Sequence, residues 1–115
     1  MASSVERYAV YWVDLDPVRG SEIAKTRPAL VVSDDAMNRL LSTVVVCPVT
    51  SRLHPRWPSR VHTTIGGRGA EIAVDQIRTI DKARLGDRID AIDETAAAEL
   101  RHVITAMYGV LSVPA

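Results

Sequence analysis

The chain has 115 residues, 47% of them hydrophobic, with a formal net charge of zero and a single cysteine. This length suits one domain, residues 1–115, and a lone cysteine excludes an internal disulfide framework. No apolar run reaches membrane-spanning length, the N-terminus lacks the features of a secretory signal, and the three histidines are too scattered for a zinc motif. We therefore expect a cytoplasmic protein that uses no membrane, no metal and no cofactor.

Short segments rich in β-formers and bounded by turn residues predict strands. They are AVYWVDL (9–15), PALVVS (28–33), TVVVCPVTS (43–51), RVHTTI (60–65), AEIAVD (70–75), QIRTI (76–80) and the end of RLGDRIDAI (84–92). The segment DPVRGSEIAKT (16–26) predicts a long loop, and GGRG (66–69) predicts a hairpin tip. The second strand is apolar on both faces, which favours a central position in the sheet.

The third strand contains a cysteine followed by a proline. Cys47 lies in an apolar run, which predicts a buried and unreactive thiol. Pro48 lacks a backbone N–H, so the pattern predicts an edge strand or a bulge at this point.

Two segments predict helices. In DDAMNRLLS (34–42), Asp34 or Ser33 can cap a short helix, with apolar Met37, Leu40 and Leu41 behind the cap. In the C-terminal segment Asp93 can cap a longer helix that packs on the sheet. Its apolar residues recur at helical spacing: Leu100, Val103, Ile104, Met107 and Leu111. Many short strands with a terminal helix predict an α+β fold built on a small, strongly bent barrel.

The charges are distributed unevenly along the chain. No Asp or Glu occurs from Ala36 to Ala70, whereas the acidic residues crowd between Glu71 and Glu99. The acid-free stretch holds Arg39, Arg52, Arg56, Arg60 and Arg68, together with His54 and His62. Because the planar guanidinium fork matches phosphate, this stretch is a candidate phosphate-binding surface. The alternative is an ordinary solvated loop face.

Polar groups at the ends of the second and third strands need an explanation. Arg27 precedes a proline that restricts it to an extended backbone, and Thr50 ends the third strand. A short connection favours neighbouring strands, so the two side chains can meet. An arginine fork and a hydroxyl together can hold a phosphodiester and stabilise charge that develops on it. A structural salt bridge from Arg27 to Glu22 or Asp75 is the alternative.

Four successive blocks of the sequence resemble the MazF/PemK toxins, the RNA-cleaving halves of bacterial toxin–antitoxin pairs. The blocks are VYWVDLDPVRGSE, KTRPALVVS, VVVCPVTSR and DQIRTIDKARL, in the order and spacing of that family. The resemblance implies a small SH3-like barrel of the CcdB/MazF type, with a short internal helix and a C-terminal helix, assembled as a homodimer. It also implies sequence-specific, metal-independent cleavage of single-stranded RNA that leaves 2′,3′-cyclic phosphate and 5′-hydroxyl ends, and a cognate antitoxin as partner.

The resemblance also assigns site residues. Arg27 and Thr50 match the family's usual catalytic pair, and Glu22 or Arg27 is expected to assist removal of the proton from the attacking 2′-oxygen. Substrate binding is expected from Ser21, Lys25, Ser51, Arg52, Arg56, Asp75 and Gln76. Two positions depart from the family pattern: Ala73 replaces an arginine found in some members, and Arg7 is followed by Tyr8 and Ala9 rather than by Gly and an acid.

Three other functions compete with this interpretation. A ribonuclease could use His54 and His62 as an acid–base pair, but nothing in the sequence indicates that their segments converge. A toxin of the CcdB type would bind gyrase, but that family relies on a tryptophan near the C-terminus and this chain ends GVLSVPA. A non-catalytic RNA-binding barrel is the third alternative, and the presence of both Arg27 and Thr50 argues against it.

Overall fold

The computed structural model describes residues 4–109. Within that range it contains seven strands, two α-helices and two short 3-10 turns. The strands are β1 (Ala9–Asp14), β2 (Thr26–Val31), β3 (Thr43–Thr50), β4 (Arg60–Ile65), β5 (Arg68–Ala73), β6 (Arg78–Asp81) and β7 (Leu85–Ala91). The helices are α1 (Asp35–Leu40) and α2 (Glu94–Tyr108), and the 3-10 turns span Val74–Gln76 and Lys82–Arg84.

The strands form one curled antiparallel sheet in the order β4-β5-β3-β2-β1-β7, and β6 pairs with the first half of β3. Strand β3 is the centre of this arrangement because it contacts β2 on one side and both β6 and β5 on the other. The sheet curls into a half-barrel and α2 packs on it, so the predicted α+β fold with two helices is confirmed.

Apolar side chains fill both faces of the sheet, which accounts for the double-faced pattern of β2. Leu30 belongs to one buried cluster, with Val10, Ile72 and Leu100. The neighbouring Val31 belongs to a second cluster on the other face. β2 lies between β1 and β3, so its predicted central position is confirmed.

Each proline of the central strands lies where its strand has a ladder partner on one side only. Pro28 is paired with β1 through Trp12, but the pairing of β2 with β3 begins only at Ala29. Pro48 lies where β3 changes partner, after its pairing with β6 and before its pairing with β5. Of the two alternatives predicted at Pro48, an edge strand or a bulge, the edge strand is therefore wrong. An interior strand accommodates the missing N–H because its partner changes there.

The two helices are capped as predicted, but their apolar faces differ. Asp34 accepts hydrogen bonds from the backbone of Ala36 and Met37 at the start of α1. The buried residue of this helix is Asn38, whereas the apolar Leu40 is 81% exposed. The reason is local, since Asn38 is anchored to Ser33 by two hydrogen bonds and turns the apolar side outward.

Helix α2 behaves as its spacing predicts. Asp93 caps it by accepting from the backbone of Ala96, and Leu100 and Val103 are buried against the sheet. Met107 is 39% exposed and so does not share that packing. Leu111, the last residue of the predicted stripe, lies outside the described residues.

Further predictions concern the strand ends, the hairpin tip and the cysteine. The predicted strand 70–75 ends at Ala73, where a 3-10 turn begins, and the last strand is longer than expected. The hairpin tip is confirmed, with positive φ at Gly66 and Gly67. Cys47 is fully buried, and burial raises the pKa of its thiol to about 12, as expected for an unreactive side chain. Within residues 4–109 we find no helix with the length and apolarity needed to cross a membrane.

Candidate functional site

The pairing of β2 with β3 brings the two strand-end polar residues together. Ala29 lies opposite Pro48 in the last pair of this ladder. The same register, continued two residues past that pair, places Arg27 opposite Thr50. The predicted meeting of these two side chains therefore follows from the register, and both residues are half-buried.

Arg27, Thr50 and Ser51 lie where two clefts meet, because each of these residues lines both of them. One cleft, here called the hairpin cleft, has a volume of about 460 Å3 and runs along the β4–β5 hairpin. Its other lining residues include Trp12, Ile65, Arg68 and Ile89. The second, here called the loop cleft, has a volume of about 590 Å3 and lies between the loops that follow β1 and β3.

Arg27 and Thr50 line both clefts and keep part of their hydrogen-bonding capacity unused. Nε of Arg27 donates to the carbonyl of Ala24 at 2.8 Å, which fixes the guanidinium while its terminal nitrogens stay available. Oγ1 of Thr50 accepts from the backbone N–H of Arg52 at 3.1 Å, so its own proton remains free to be donated. Among the described residues Arg27 forms no salt bridge, and the alternative ion pair with Glu22 or Asp75 is not found.

Gln76 ties the loop after β1 to the site. Its side-chain oxygen accepts from the backbone N–H of Ile23 at 2.7 Å, and its amide nitrogen lies 3.5 Å from the carbonyl of Ser21. The carboxylate of Glu22 accepts from the backbone N–H of Arg19 at 2.8 Å. This bonding holds Ser21 and Glu22 in the lining of the loop cleft.

A buried carboxylate lies behind the loop cleft. The side chain of Glu71 is 0% exposed and accepts from Arg60 at 2.7 Å and from the backbone N–H of His54. The ring nitrogens of His54 and His62 lie 3.2 Å and 2.8 Å from its two oxygens. Burial alone would raise the pKa of Glu71, but the hydrogen bonds from His54, Arg60 and His62 outweigh it and lower the pKa to about 2. Glu71 is therefore a fixed negative charge within this cluster.

Arg60 joins Glu71 to a second carboxylate. Its Nε lies 2.7 Å from Oδ1 of Asp75, and its side chain is only 4% exposed. Burial opposes ionisation of Asp75, but the hydrogen bonds from Arg60 and Ser59 prevail and keep its pKa below the ordinary value. Arg60 is thus neutralised by acids from the following segment, so its expected part in a phosphate-binding surface is wrong.

The two histidines do converge, contrary to the sequence argument that their segments have no reason to meet. Both contact Glu71, which β5 places beside β4 and beside the loop after β3. They nevertheless open onto different clefts. His54 lines the loop cleft, whereas His62 lines a separate cleft next to Asp93 and Glu99. A single phosphate therefore does not meet both rings, which argues against an acid–base pair.

The remaining predicted substrate-binding residues divide into two groups. Ser51, Arg52, Asp75 and Gln76 line the loop cleft, although the side chains of Asp75 and Gln76 are engaged in the contacts described above. Lys25 and Arg56 are exposed and lie outside the lining of both clefts. Their assignment as substrate-binding residues stays a prediction.

Sequence reasoning missed one aromatic side chain of the loop cleft, Trp57, although it had named its neighbour His54 for other reasons. Trp57 and His54 both line this cleft, and their rings stack with centroids 3.8 Å apart. The signal was a tryptophan in a Pro-rich, acid-free turn, RLHPRWPS, where no core-facing pattern accounts for it. Within residues 4–109, no group of three or more His, Cys, Asp or Glu side chains is arranged to hold a metal ion.

Comparison with known proteins shows which family this chain resembles in sequence and fold. A family model described as "PemK-like, MazF-like toxin of type II toxin-antitoxin system" matches residues 6–108. Endoribonuclease EndoA of Bacillus subtilis (strain 168) is 40% identical over 95 residues, which cover 78% of this chain and 82% of EndoA. The crystal structure of MazF from Deinococcus radiodurans superposes with a TM-score of 0.82 at 27% identity, covering 95% of this chain and all of that one. A mycobacterial endoribonuclease in complex with its cognate antitoxin has a TM-score of 0.76 at 24% identity, covering 98% and 100% of the two chains.

Proposed function

The chain belongs to the PemK-like, MazF-like toxins of type II toxin–antitoxin systems and is an endoribonuclease toxin of that kind, and we propose that it cuts single-stranded RNA at short preferred sequences without a metal ion. The cut leaves a 2′,3′-cyclic phosphate and a 5′-hydroxyl. The whole chain acts as one toxin domain in the cytoplasm, and a cognate antitoxin neutralises it.

One observation carries this proposal: Arg27 and Thr50 meet at the junction of the two clefts. A guanidinium anchored through Nε and a hydroxyl with a free proton supply positive charge and hydrogen-bond donation at one point. This is what a phosphodiester needs when negative charge develops on its oxygens. Because both donors are held by backbone contacts, they require little reorganisation during the reaction.

The proposed reaction is an internal transfer at phosphorus. The ribose 2′-oxygen attacks the adjacent phosphorus and loses its proton, and the bond from phosphorus to the 5′-oxygen breaks. Arg27 and Thr50 stabilise the phosphorane oxygens, and the departing 5′-oxygen takes up a proton. The phosphate then closes on the 2′- and 3′-oxygens, so atoms and charge balance without a metal or a second substrate.

We assign proton removal to Glu22 rather than to Asp75. Both carboxylates line the loop cleft. Asp75 is bound by Arg60 at 2.7 Å, and its lowered pKa makes it a weak base. Glu22 accepts a backbone N–H of Arg19 and has no cation partner among the described residues. It therefore keeps lone pairs available for the 2′-hydroxyl.

Two partners belong to the proposal. The similar mycobacterial fold in complex with its cognate antitoxin supports an antitoxin, whose acidic residues would compete with RNA for Arg52 and Arg68, the exposed arginines of the acid-free stretch that line the clefts. A homodimer is supported by apolar side chains on the surface of α1 and just after it, where Met37, Leu40 and Leu41 are 48%, 81% and 44% exposed.

The test is cleavage of a long RNA of mixed sequence in excess EDTA, with the ends of the products mapped. We expect cuts at a small set of related sequences, with 2′,3′-cyclic phosphate on one fragment and 5′-hydroxyl on the other. Cutting that disappears on chelation and returns with magnesium would overturn the metal-independent mechanism, and 5′-phosphate ends would overturn attack by the 2′-oxygen.

A further inference from the structure

Trp57 forms an aromatic platform at the mouth of the loop cleft. It lies on the loop between β3 and β4, and it is 47% exposed. The His54 ring stacks on it with an interplanar angle of 20°. The guanidinium carbon of Arg60 lies 4.6 Å from the centroid of the indole.

His54 and Arg60 cover the same face of the indole. A terminal nitrogen of Arg60 lies 3.4 Å from Nδ1 of His54. Groups on opposite faces of a ring would be separated by roughly twice the ~3.5–4 Å contact distance. One face of Trp57 is therefore filled, and its exposed surface belongs to the opposite face and the rim.

The buried charge cluster holds this platform in place. Glu71 accepts from both the backbone of His54 and the guanidinium of Arg60, and Asp75 binds Arg60 a second time. With these contacts the planes of His54 and Arg60 are fixed beneath Trp57. A surface that is already ordered loses little conformational entropy when a flat ligand stacks on it. The cluster thus positions the aromatic platform as well as neutralising its own charges.

The position and charge of the platform indicate its ligand. Trp57 lines the same cleft as Arg27 and Thr50, and Arg52 of the same cleft is exposed and cationic. An aromatic face beside arginines suits a nucleobase with its phosphates, because bases stack on aromatic side chains whatever their identity. We propose that the open face of Trp57 stacks one unpaired base of the RNA next to the cleaved phosphate. This inference rests on the proposed function and deepens it.

The experiment measures RNA binding by the wild type and by variants of Trp57, using RNAs that lack one base at a time. RNA oligonucleotides carry one cut site, a 2′-deoxy sugar at that site to prevent cleavage, and an abasic nucleotide at each position in turn. Trp57→Ala is expected to bind the uncleavable RNA without an abasic position roughly 5- to 150-fold more weakly than the wild type, the range for one stacked base. At one abasic position the two proteins should bind equally. Trp57→Phe, which keeps a ring, should recover part of the affinity.

Leu53→Ala is the matched control, because Leu53 is 50% exposed on the same loop and lies outside the lining of the loop cleft. It should bind every RNA as the wild type does. A second readout does not depend on the folding of Trp57→Ala. The chain has two tryptophans, so in a Trp12→Phe background the fluorescence reports Trp57 alone. RNA should quench that fluorescence, and quenching should be lost at the same abasic position.

The outcomes separate this inference from the proposed function. If the wild type cuts RNA but Trp57→Ala loses RNA affinity equally at every abasic position, or at none, only the stacking site is overturned. If Trp57→Ala binds RNA normally but no longer binds an acidic antitoxin peptide, the stacking site is also overturned, and the open face of Trp57 is assigned to a protein partner. Wild-type protein that cuts no RNA overturns the proposed function, and the stacking site with it.

Discussion

Replacing Glu71 with glutamine is expected to destabilise the protein strongly at neutral pH. The side chain is 0% exposed and lies between Arg60 and two histidines. Glutamine keeps the size of the side chain but removes its charge, so Arg60 remains buried with Asp75 as its remaining carboxylate partner. Removal of one partner from a buried ion pair typically costs ~3–5 kcal/mol when the other charge is left uncompensated, and because Asp75 still compensates part of the Arg60 charge we expect a loss near the lower end of that range.

The pKa of Glu71 gives a second measure of the same interaction. Its usual value is 4.5 and its value in the folded protein is about 2. Each tenfold change in proton affinity is worth ~1.4 kcal/mol, so the difference corresponds to about 3 kcal/mol. The folded-state pKa is the lower one, so the unfolded chain binds the proton more readily. This contribution is present above pH 4.5, falls as the pH drops from there, and is lost below about pH 2.

The assay is urea unfolding of wild type and Glu71→Gln between pH 7 and pH 2. The difference in free energy of unfolding should be about 3 kcal/mol or more at pH 7 and should shrink as the pH falls below 4.5. Glu94→Gln is the control, because Glu94 pairs with Arg101 on the surface with its side chain 78% exposed. Such exposed pairs contribute little to stability because solvent screens them. A Glu71→Gln loss as small as that of the control, or one independent of pH, would refute the reasoning.

Three further predictions concern the site and its partners. Thr50→Val keeps the β-branched shape and deletes the hydroxyl. Its single-turnover cleavage rate should fall, but less than that of Arg27→Ala, and an unchanged rate would remove Thr50 from the mechanism. Light scattering at micromolar concentration should give twice the chain mass, and a fully active monomer would contradict the dimer. An acidic antitoxin peptide should bind more weakly as salt rises and should block RNA cleavage. A partner that binds but leaves cleavage untouched would contradict its placement over the site.

The sequence predicted those features that depend on local pattern. Strand periodicity and the Asp34 and Asp93 caps are signals carried by adjacent residues, and the structure contains both caps. The meeting of Arg27 with Thr50 was also accessible, because a short connection between β2 and β3 makes antiparallel neighbours. The structure continues that register through Ala29 and Pro48.

The sequence did not predict contacts that depend on long-range packing. Glu71 meets His62 across the β4–β5 ladder and His54 on the loop before β4, and no local pattern indicates that a carboxylate there is fully buried. The same packing removes Arg60 from the basic surface inferred from composition. Charge counted along the chain treats every arginine as free, whereas the fold pairs some of them. The proposed role of Trp57 was not predicted because it depends on which face of the indole is covered in the fold.

The most direct measurement is the single-turnover cleavage rate of Arg27→Ala, taken with a thermal melt. Arg39→Ala is the matched control, since Arg39 is an exposed arginine outside the lining of both clefts. Loss of one donor to developing charge costs ~3–4 kcal/mol of transition-state stabilisation. Arg27→Ala should therefore cut ~10²–10³-fold more slowly, while it melts close to the wild type and Arg39→Ala cuts normally. A folded Arg27→Ala protein that cuts RNA at the wild-type rate would contradict the assignment of this site.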